Sequence, residues 1–286
     1  MNCRLCATTD VELFSREQRG DQGFTLLFCR ACQVIQTLEQ YVAVSPDYVT
    51  LAGRSIDQAH LWCQAGHKQP AFRQWQRITQ PHWPTGPRRL LDVGCGTGGF
   101  LTHAARQGWE VFGFDASQAQ VDHARQHFPH VHRATRCLEY LARLSTPSPP
   151  FAMITLWDVF EHIRDPHPFL EELSAALADD GLLFLSIPNG GALHWKRSLY
   201  RILGKPLSLD PWEHCFYYSC HALQRWLPEW GFQVLGIGSV ICYPRPLSLF
   251  EMARRTGFAL MNRVPSLAPQ IFCLARKARS GDHPCL

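Results

Sequence analysis

No apolar run in this 286-residue chain approaches the roughly 18 residues that a membrane-spanning helix needs. A helical membrane protein is excluded as a class. The opening Met1-Asn2-Cys3-Arg4-Leu5-Cys6 lacks the apolar segment of a secretory signal, so a cytoplasmic location is expected. Charge is also sparse: 18% of residues are Asp, Glu, Lys or Arg and the net charge is +4. With no clustered basic stripe, no strong nucleic-acid footprint is expected. The 46% of apolar residues suffice for one large or two small globular domains with a buried core.

Cysteine, by contrast, is abundant, with twelve in the chain. Without a secretory signal, a reducing compartment is expected, where thiols serve as core residues or metal ligands. Cys63, Cys95, Cys137, Cys215, Cys220, Cys242 and Cys273 are scattered among apolar neighbours and read as buried thiols, with Cys285 in the tail. The first four differ. Cys3-x-x-Cys6 and Cys29-x-x-Cys32 form two knuckles around Gly20-Asp21-Gln22-Gly23 and a strand-like run at 24–28. Each knuckle brings two thiolates to one ion, and four thiolates complete the tetrahedron of a closed structural zinc site. A redox dithiol, an iron site or a metal-free ribbon are the alternatives. With no open coordination position, catalytic zinc is not expected.

The chain is organised around Leu90-Leu91-Asp92-Val93-Gly94-Cys95-Gly96-Thr97-Gly98-Gly99-Phe100. A short apolar run, four glycines within six residues and a helical pattern read as strand, tight turn and helix. Glycine permits positive φ and close approach of a ligand to the backbone, and the following helix start leaves unpaired N–H groups. Gly94, Gly96 and Gly99 also fit the G-x-G-x-x-G spacing of dinucleotide turns, so an NAD(P)-dependent oxidoreductase is one reading. Asp92 disfavours it, because a carboxylate there repels a pyrophosphate but suits a cationic amino group. Asp115 ends the next apolar run, about twenty residues on, where βαβ nucleotide sites hold a ribose diol. An amino acid joined to a ribose satisfies both acids.

Residues 91–98 resemble the first motif of the class I S-adenosylmethionine-dependent methyltransferases, a likeness that extends over about 88–277. The resemblance implies a Rossmann-like α/β fold: a seven-stranded sheet with a reversed final hairpin and helices on both faces. It implies S-adenosyl-L-methionine as cofactor, contacted by Gly94, Gly96 and Gly98, with Cys95 in the same string, Asp115 on the ribose and Trp157 closing strand four. A four-cysteine ribbon ahead of the methyl-transfer domain looks like that of methyltransferases acting on sugars, polysaccharide precursors and natural products. The expected organisation is a zinc-ribbon-like module over 1–40, a helical connecting segment over 41–87 and a methyltransferase domain over 88–280.

The connecting segment carries Tyr41, Tyr48, Trp62, Phe72, Trp75 and Trp83, with helical spacing over 60–78. Ser117 and Gln120 form a capping box for a helix to about His127. The third strand is placed near Val131, and 135–138 fall where the resembled family contacts adenine. Residues 145–150 read as a surface loop, 151–156 as the fourth strand and 182–187 as a buried fifth strand closed by Pro188-Asn189. Asp165-Pro166 starts the helix between them. Phe232 to Val240 and Gln270 to Arg276 are the last two strands, separated by an amphipathic excursion over 247–262.

Asp158, Glu161 and His162 leave the fourth strand as a D-x-x-E-H cluster, at the sheet edge where open α/β folds bind ligands. If helical, the three share a face. The readings are structural polar contacts, a general base supplied by Asp158 or His162, or a hard-cation site. The last rests on a similar string in ubiquinone-pathway O-methyltransferases. His214 matches a histidine that recurs in related methyltransferases and is the second base candidate. Residues 191–218 are expected to form a substrate lid. Their basic amphipathic helix over 193–205 suits an anionic glycan or lipid-linked acceptor, or peripheral membrane contact. The expected reaction is methyl transfer to a small-molecule, sugar or lipid-linked acceptor, at O or N more than C. A non-catalytic adaptor built on the ribbon is the remaining alternative.

Overall fold

The structure, a computed structural model, describes residues 1–19, 21–39, 68–144, 150–203, 207, 209, 211, 213–240 and 264–278. The expectations for Tyr41, Tyr48, Trp62, the loop at 145–149, the excursion at 247–262 and the tail lie outside the described residues.

Hydrophobic alternation builds the large sheet. Strands β4 (Arg89–Val93), β5 (Glu110–Asp115), β6 (Val131–Arg133), β7 (Phe151–Trp157), β8 (Leu177–Pro188), β10 (Phe232–Ser239) and β11 (Gln270–Lys277) pair in the order β10-β11-β8-β7-β4-β5-β6. The pairs from β8 through β6 are parallel, whereas β11 runs antiparallel to both neighbours. This is the seven-stranded arrangement with a reversed final hairpin that the motif implies. Adjacent core residues face opposite sides: Leu90, Met153 and Phe184 pack with Phe72, Trp75 and Leu101. Leu91, Ile154 and Leu185 pack with Leu170, Leu173 and Leu223.

Helices cover both faces. The first is α1 (Gln69–Thr79), which buries Phe72 and Trp75. It is followed by α2 (Gly99–Arg106), α3 (Gln118–Arg125), α4 (Cys137–Leu141), α5 (Pro166–Ala176), α6 (Gly190–Ile202) and α7 (Cys220–Glu229). Ser117 caps α3 by accepting from the Gln120 amide, and Ser219 caps α7 through the Ala222 amide. Pro166 sits in the first turn of α5. Pro228 lies one residue before the end of α7, so the helix stops there. Asn189 caps α6 and donates to the carbonyls of Pro265 and Ala268 at 2.9 and 2.8 Å, which pins the end of β8.

Strand direction reverses its build between β4 and β7: the chain adds β5 and β6 on one side of β4, then returns to add β7 on the other. Ligands of open α/β sheets bind beyond the carboxyl ends at such a switch point. The glycine turn leaves β4 there, and residues 158–162 leave β7 there.

The N-terminal cysteine segment forms a second, antiparallel sheet, β1-β2-β3-β9, from β1 (Val11–Arg19), β2 (Gln22–Cys29), β3 (Val34–Thr37) and β9 (Phe216–Tyr217). Its fourth strand begins two residues after His214. Ile35 pairs with Tyr217 and Gln36 with Phe216, so the ribbon and the segment after His214 share one hydrogen-bonded sheet.

Candidate cofactor and acceptor site

Three glycines of the turn hold positive φ: Gly94 at 68°, Gly96 at 55° and Gly98 at 83°. The amides of Gly94 and Cys95 both donate to the Phe114 carbonyl, at 2.8 and 3.0 Å, which folds the turn back over β5. A Cβ on Gly94 would lie 2.5 Å from Val159 Cγ2, and one on Gly96 would lie 2.8 Å from Gln120 Oε1. Backbone conformation calls for glycine at both positions, and at Gly94 the close approach of Val159 does so as well, whereas the Gln120 side chain can swing away from Gly96. Cys95 is buried in the turn with its thiol raised by desolvation. Thr97 is also buried, and its hydroxyl has no partner among the described residues.

Two acids flank the turn. Asp92 is 2% exposed and accepts from Thr155 Oγ1 at 2.7 Å. Burial pushes its carboxyl up to about 8, opposed by the Thr155 hydrogen bond and reinforced by Asp115. Asp115 turns toward the glycines: Oδ2 accepts from the Gly96 amide at 2.9 Å and Oδ1 from the Ser117 amide at 2.8 Å. Burial raises its carboxyl and those amides pull it back. Each oxygen keeps a further lone pair for a ligand hydroxyl. Trp157, at the end of β7, packs against Phe72, Phe100 and Phe184 with centroids 4.9–5.1 Å apart, and its indole N–H lacks a partner among the described residues. At 135–138, the Thr135 amide is taken by Glu139 Oε2 and Leu138 is exposed.

Across the switch point the D-x-x-E-H cluster is split. Asp158 has φ 56°, a left-handed conformation, so the single helical turn spans only Phe160–His162 and the shared face does not form. The Asp158 carboxylate pairs with Lys68, at the start of α1, and accepts from Gln270 of β11. His162 instead meets His214, with ring centroids 4.9 Å apart. Its Nδ1 lies 2.9 Å from the Glu213 carbonyl, an acceptor, so Nδ1 carries the proton and Nε2 is the basic nitrogen. Burial, with His162 beside it, pulls His214 down to about 3.

Glu161, assigned no separate role in sequence, is 1% exposed with neither carboxylate oxygen hydrogen-bonded among the described residues. Burial, with Asp158 nearby, holds its carboxyl well above the usual range. Ligating atoms of Glu161, His162 and His214 all lie within 4.8 Å of one another. The group can therefore hold a proton or take a divalent cation. The signal in sequence was the string itself, but burial and the contact with His214 are products of tertiary structure.

The four N-terminal cysteines converge as well. Cys3 Sγ lies 3.5 Å from Cys32 Sγ, Cys6 Sγ lies 3.6 Å from Cys29 Sγ, and Cys6 to Cys32 is 3.9 Å. These separations exceed the ~2.05 Å of a disulfide. They match the spacing of about 3.8 Å between corners of a tetrahedron with ~2.3 Å bonds. The Cys32 thiol lowers Cys3 to about 5 and is itself raised, while burial raises Cys6 to about 11.

An open α/β sheet with a glycine turn and an acidic second strand at its switch point defines a nucleotide-cofactor enzyme. A family model described as a methyltransferase domain matches residues 65–237, more than half of the chain. The chain belongs to that family and is an S-adenosylmethionine-dependent methyltransferase, which decides between the cofactors that glycine spacing left open. The ubiquinone biosynthesis O-methyltransferase of Coxiella burnetii strain RSA 493 is 28% identical over 220 residues, covering 68% of this chain and 91% of that protein. Its counterpart from Bradyrhizobium diazoefficiens is 28% identical over 162 residues, and the alignment spans 57% of each.

Among solved structures, phosphoethanolamine N-methyltransferase 2 of Haemonchus contortus, in complex with S-adenosyl-L-methionine, superposes with a TM-score of 0.54. The identity is 17%, covering 93% of this chain and 71% of that one. A plantazolicin methyltransferase gives 0.50 at 17% identity, covering 81% and 92%. Both share the fold. Among the described residues, no helix is long and apolar enough to cross a membrane.

Proposed function

We propose that the chain transfers the methyl group of S-adenosylmethionine to a hydroxyl of a small-molecule acceptor, with His162 as general base. The bound cofactor supplies a methyl group already activated by its sulfonium. The chain's part is to align the acceptor with it and remove the acceptor's proton.

The donor set fits the cofactor. Asp115 presents two oxygens to the ribose, Gly94, Cys95, Gly96 and Gly98 form a backbone cradle, and the buried Asp92 takes the cationic amino group. Trp157 ends β7 at the same sheet edge, its indole N–H without a partner among the described residues. The observation that carries hydroxyl chemistry is the His162–His214 pair at the same sheet edge, with the His162 tautomer set by Glu213. The names of the ubiquinone-pathway relatives support the same direction. Asp158, tied to Lys68 and Gln270, positions the loop rather than taking the proton.

Cys3, Cys6, Cys29 and Cys32 hold a structural zinc ion in this reading, because their sulfur separations suit a tetrahedron and a dication relieves the crowding of four thiolates. The lid carries α6, on which Arg197 is engaged by the Leu13 carbonyl and Glu12 of the ribbon sheet. Lys196 and Arg201 remain for an anionic group on a glycan or lipid-linked acceptor, and Leu199, Ile202 and Leu203 present exposed apolar surface for its tail or for a membrane.

The test is transfer of labelled methyl from S-adenosylmethionine to protocatechuate, a catechol, against phosphoethanolamine, an amine. Turnover of the catechol that drops at least about a hundredfold in His162→Ala supports the proposal. Preference for the amine, or an unimpaired variant, overturns it.

A further inference from the structure

Thr37 is 1% exposed and ends the strand that follows the second cysteine knuckle. A threonine at a strand end is ordinarily satisfied locally. Here its hydroxyl donates to the His214 carbonyl at 2.8 Å, and its amide donates to the Cys215 carbonyl at 3.1 Å. One ribbon residue thus grips two consecutive carbonyls of the segment that reaches the histidine pair.

That segment is tied to the base in three ways. The Glu213 carbonyl accepts from His162 Nδ1 at 2.9 Å. The Cys215 amide donates to the Glu161 carbonyl at 2.9 Å, and the Cys215 thiol donates to the His162 carbonyl at 3.3 Å. From the first knuckle, Arg4 completes the frame: Nη1 donates to the Thr37 carbonyl at 3.1 Å and Nη2 to the Arg164 carbonyl at 3.2 Å. Its guanidinium also stacks 4.9 Å from the Phe216 ring centroid. The cysteine ribbon therefore holds the loop that carries His162 directly at the Arg164 carbonyl and, through residues 213–215, at the carbonyls of Glu161 and His162.

We propose that Thr37 is a positioning residue, through which the ribbon holds residues 213–215 so that the Glu213 carbonyl keeps His162 in its Nδ1–H tautomer. Without that carbonyl in place, the proton redistributes between the ring nitrogens, and the basic nitrogen no longer faces the acceptor in every molecule. The proposal rests on the reading of His162 as the base, and its test separates the two.

Thr37→Val keeps the shape and removes the donor, while Thr37→Ser keeps the donor. Long-range proton–nitrogen spectra of histidine-labelled full-length protein report which His162 nitrogen is protonated, with assignment from His162→Ala. In T37V the His162 signals are expected to move from a pure Nδ1–H pattern to a mixture. In T37S they stay as in the parent. S-adenosylhomocysteine binding stays within about threefold in both, and kcat on protocatechuate falls about tenfold in T37V with KM little changed, as the loss of one hydrogen bond predicts.

A parent-like His162 spectrum in T37V overturns the proposal, as does loss of cofactor binding in parallel with the spectral change. A shifted tautomer with undiminished kcat upholds the positioning and overturns His162 as the base. Should T37V not fold, Arg4→Gln removes the bridge from the Thr37 carbonyl to the Arg164 carbonyl. It is expected to show the same mixture, and a parent-like spectrum there overturns the proposal.

Discussion

Asp115→Asn tests the cofactor site at its most informative atom pair. The carboxylate uses one oxygen on the Gly96 amide and the other on the Ser117 amide, so the amide side chain preserves volume but can satisfy only one of them. The rotamer that keeps the Ser117 bond preserves the start of α3 and leaves the Gly96 N–H facing an NH₂ group. An unmatched buried donor costs about 1–3 kcal/mol of stability. Ribose hydroxyls that donated to a carboxylate would donate to a neutral amide or meet a second donor, which weakens charge-assisted bonds by about half. With two hydroxyls and a loosened turn, cofactor affinity should fall by about 2–4 kcal/mol, roughly 30- to 1000-fold. Titration calorimetry with S-adenosylhomocysteine reads the affinity, and urea unfolding of the free protein reads the stability. A dissociation constant within about threefold of the parent, with stability reduced as expected, would refute the reasoning. The carboxylate would then only staple the glycine turn.

Gly94→Ala must adopt φ 68° and place its methyl 2.5 Å from Val159 Cγ2. It should lose about 1–2 kcal/mol from backbone strain plus the clash, and adding Val159→Ala should return only the clash; a silent single variant in urea unfolding denies the left-handed turn. Metal analysis should find one zinc per chain, lost in Cys32→Ser. A metal-free preparation that unfolds at the same temperature as the metal-bound protein would remove the structural zinc. Asp92, with its carboxyl raised from 3.8 to about 8, destabilises the folded chain progressively as pH rises from about 4 to about 8, because the unfolded chain ionises first. A bound ammonium lowers that carboxyl again, so cofactor binding should release protons near neutrality and tighten between about pH 6 and about pH 8. Calorimetry in buffers of different ionisation heat should detect this release in the parent and not in Asp92→Asn; equal release in both contradicts the assignment.

The parts legible in sequence were those whose chemistry is local. Glycines at 94, 96 and 98 announce positive φ because few other residues tolerate it, and strands such as 151–156 announce themselves by apolar runs of the right length. Paired cysteines at fixed spacing announce a tetrahedral cluster. What escaped depends on contacts between distant segments. The D-x-x-E-H string would share a face if helical, yet Asp158 takes a left-handed backbone and joins Lys68 and Gln270 from two other elements. The two-residue strand Phe216–Tyr217 has no periodicity to read, and it exists because β3 offers an edge to pair with. Glu161 stands in the sequence only as a member of that string, and its burial is visible only in the fold.

Four energetic costs of the chain meet around the switch point, and their combination there is itself an argument for where the chemistry occurs. Asp92 is buried with its carboxyl raised, Glu161 is buried without a hydrogen bond, His214 is held far below its ordinary basicity, and Asp158 occupies a backbone region unfavourable to a non-glycine residue. Apolar substitution at Glu161, or glycine at 158, would relieve such costs at once. Meanwhile the sheet interior pairs Leu with Ile and Val and carries few polar groups, among them Thr155, which answers Asp92. Three of these departures thus lie at the carboxyl ends of β4 and β7, and the fourth, His214, faces His162 beside them. Titratable groups displaced from their ordinary range cluster where charge must be created or moved. A fold serving only as a scaffold for the ribbon would have no reason to keep them there.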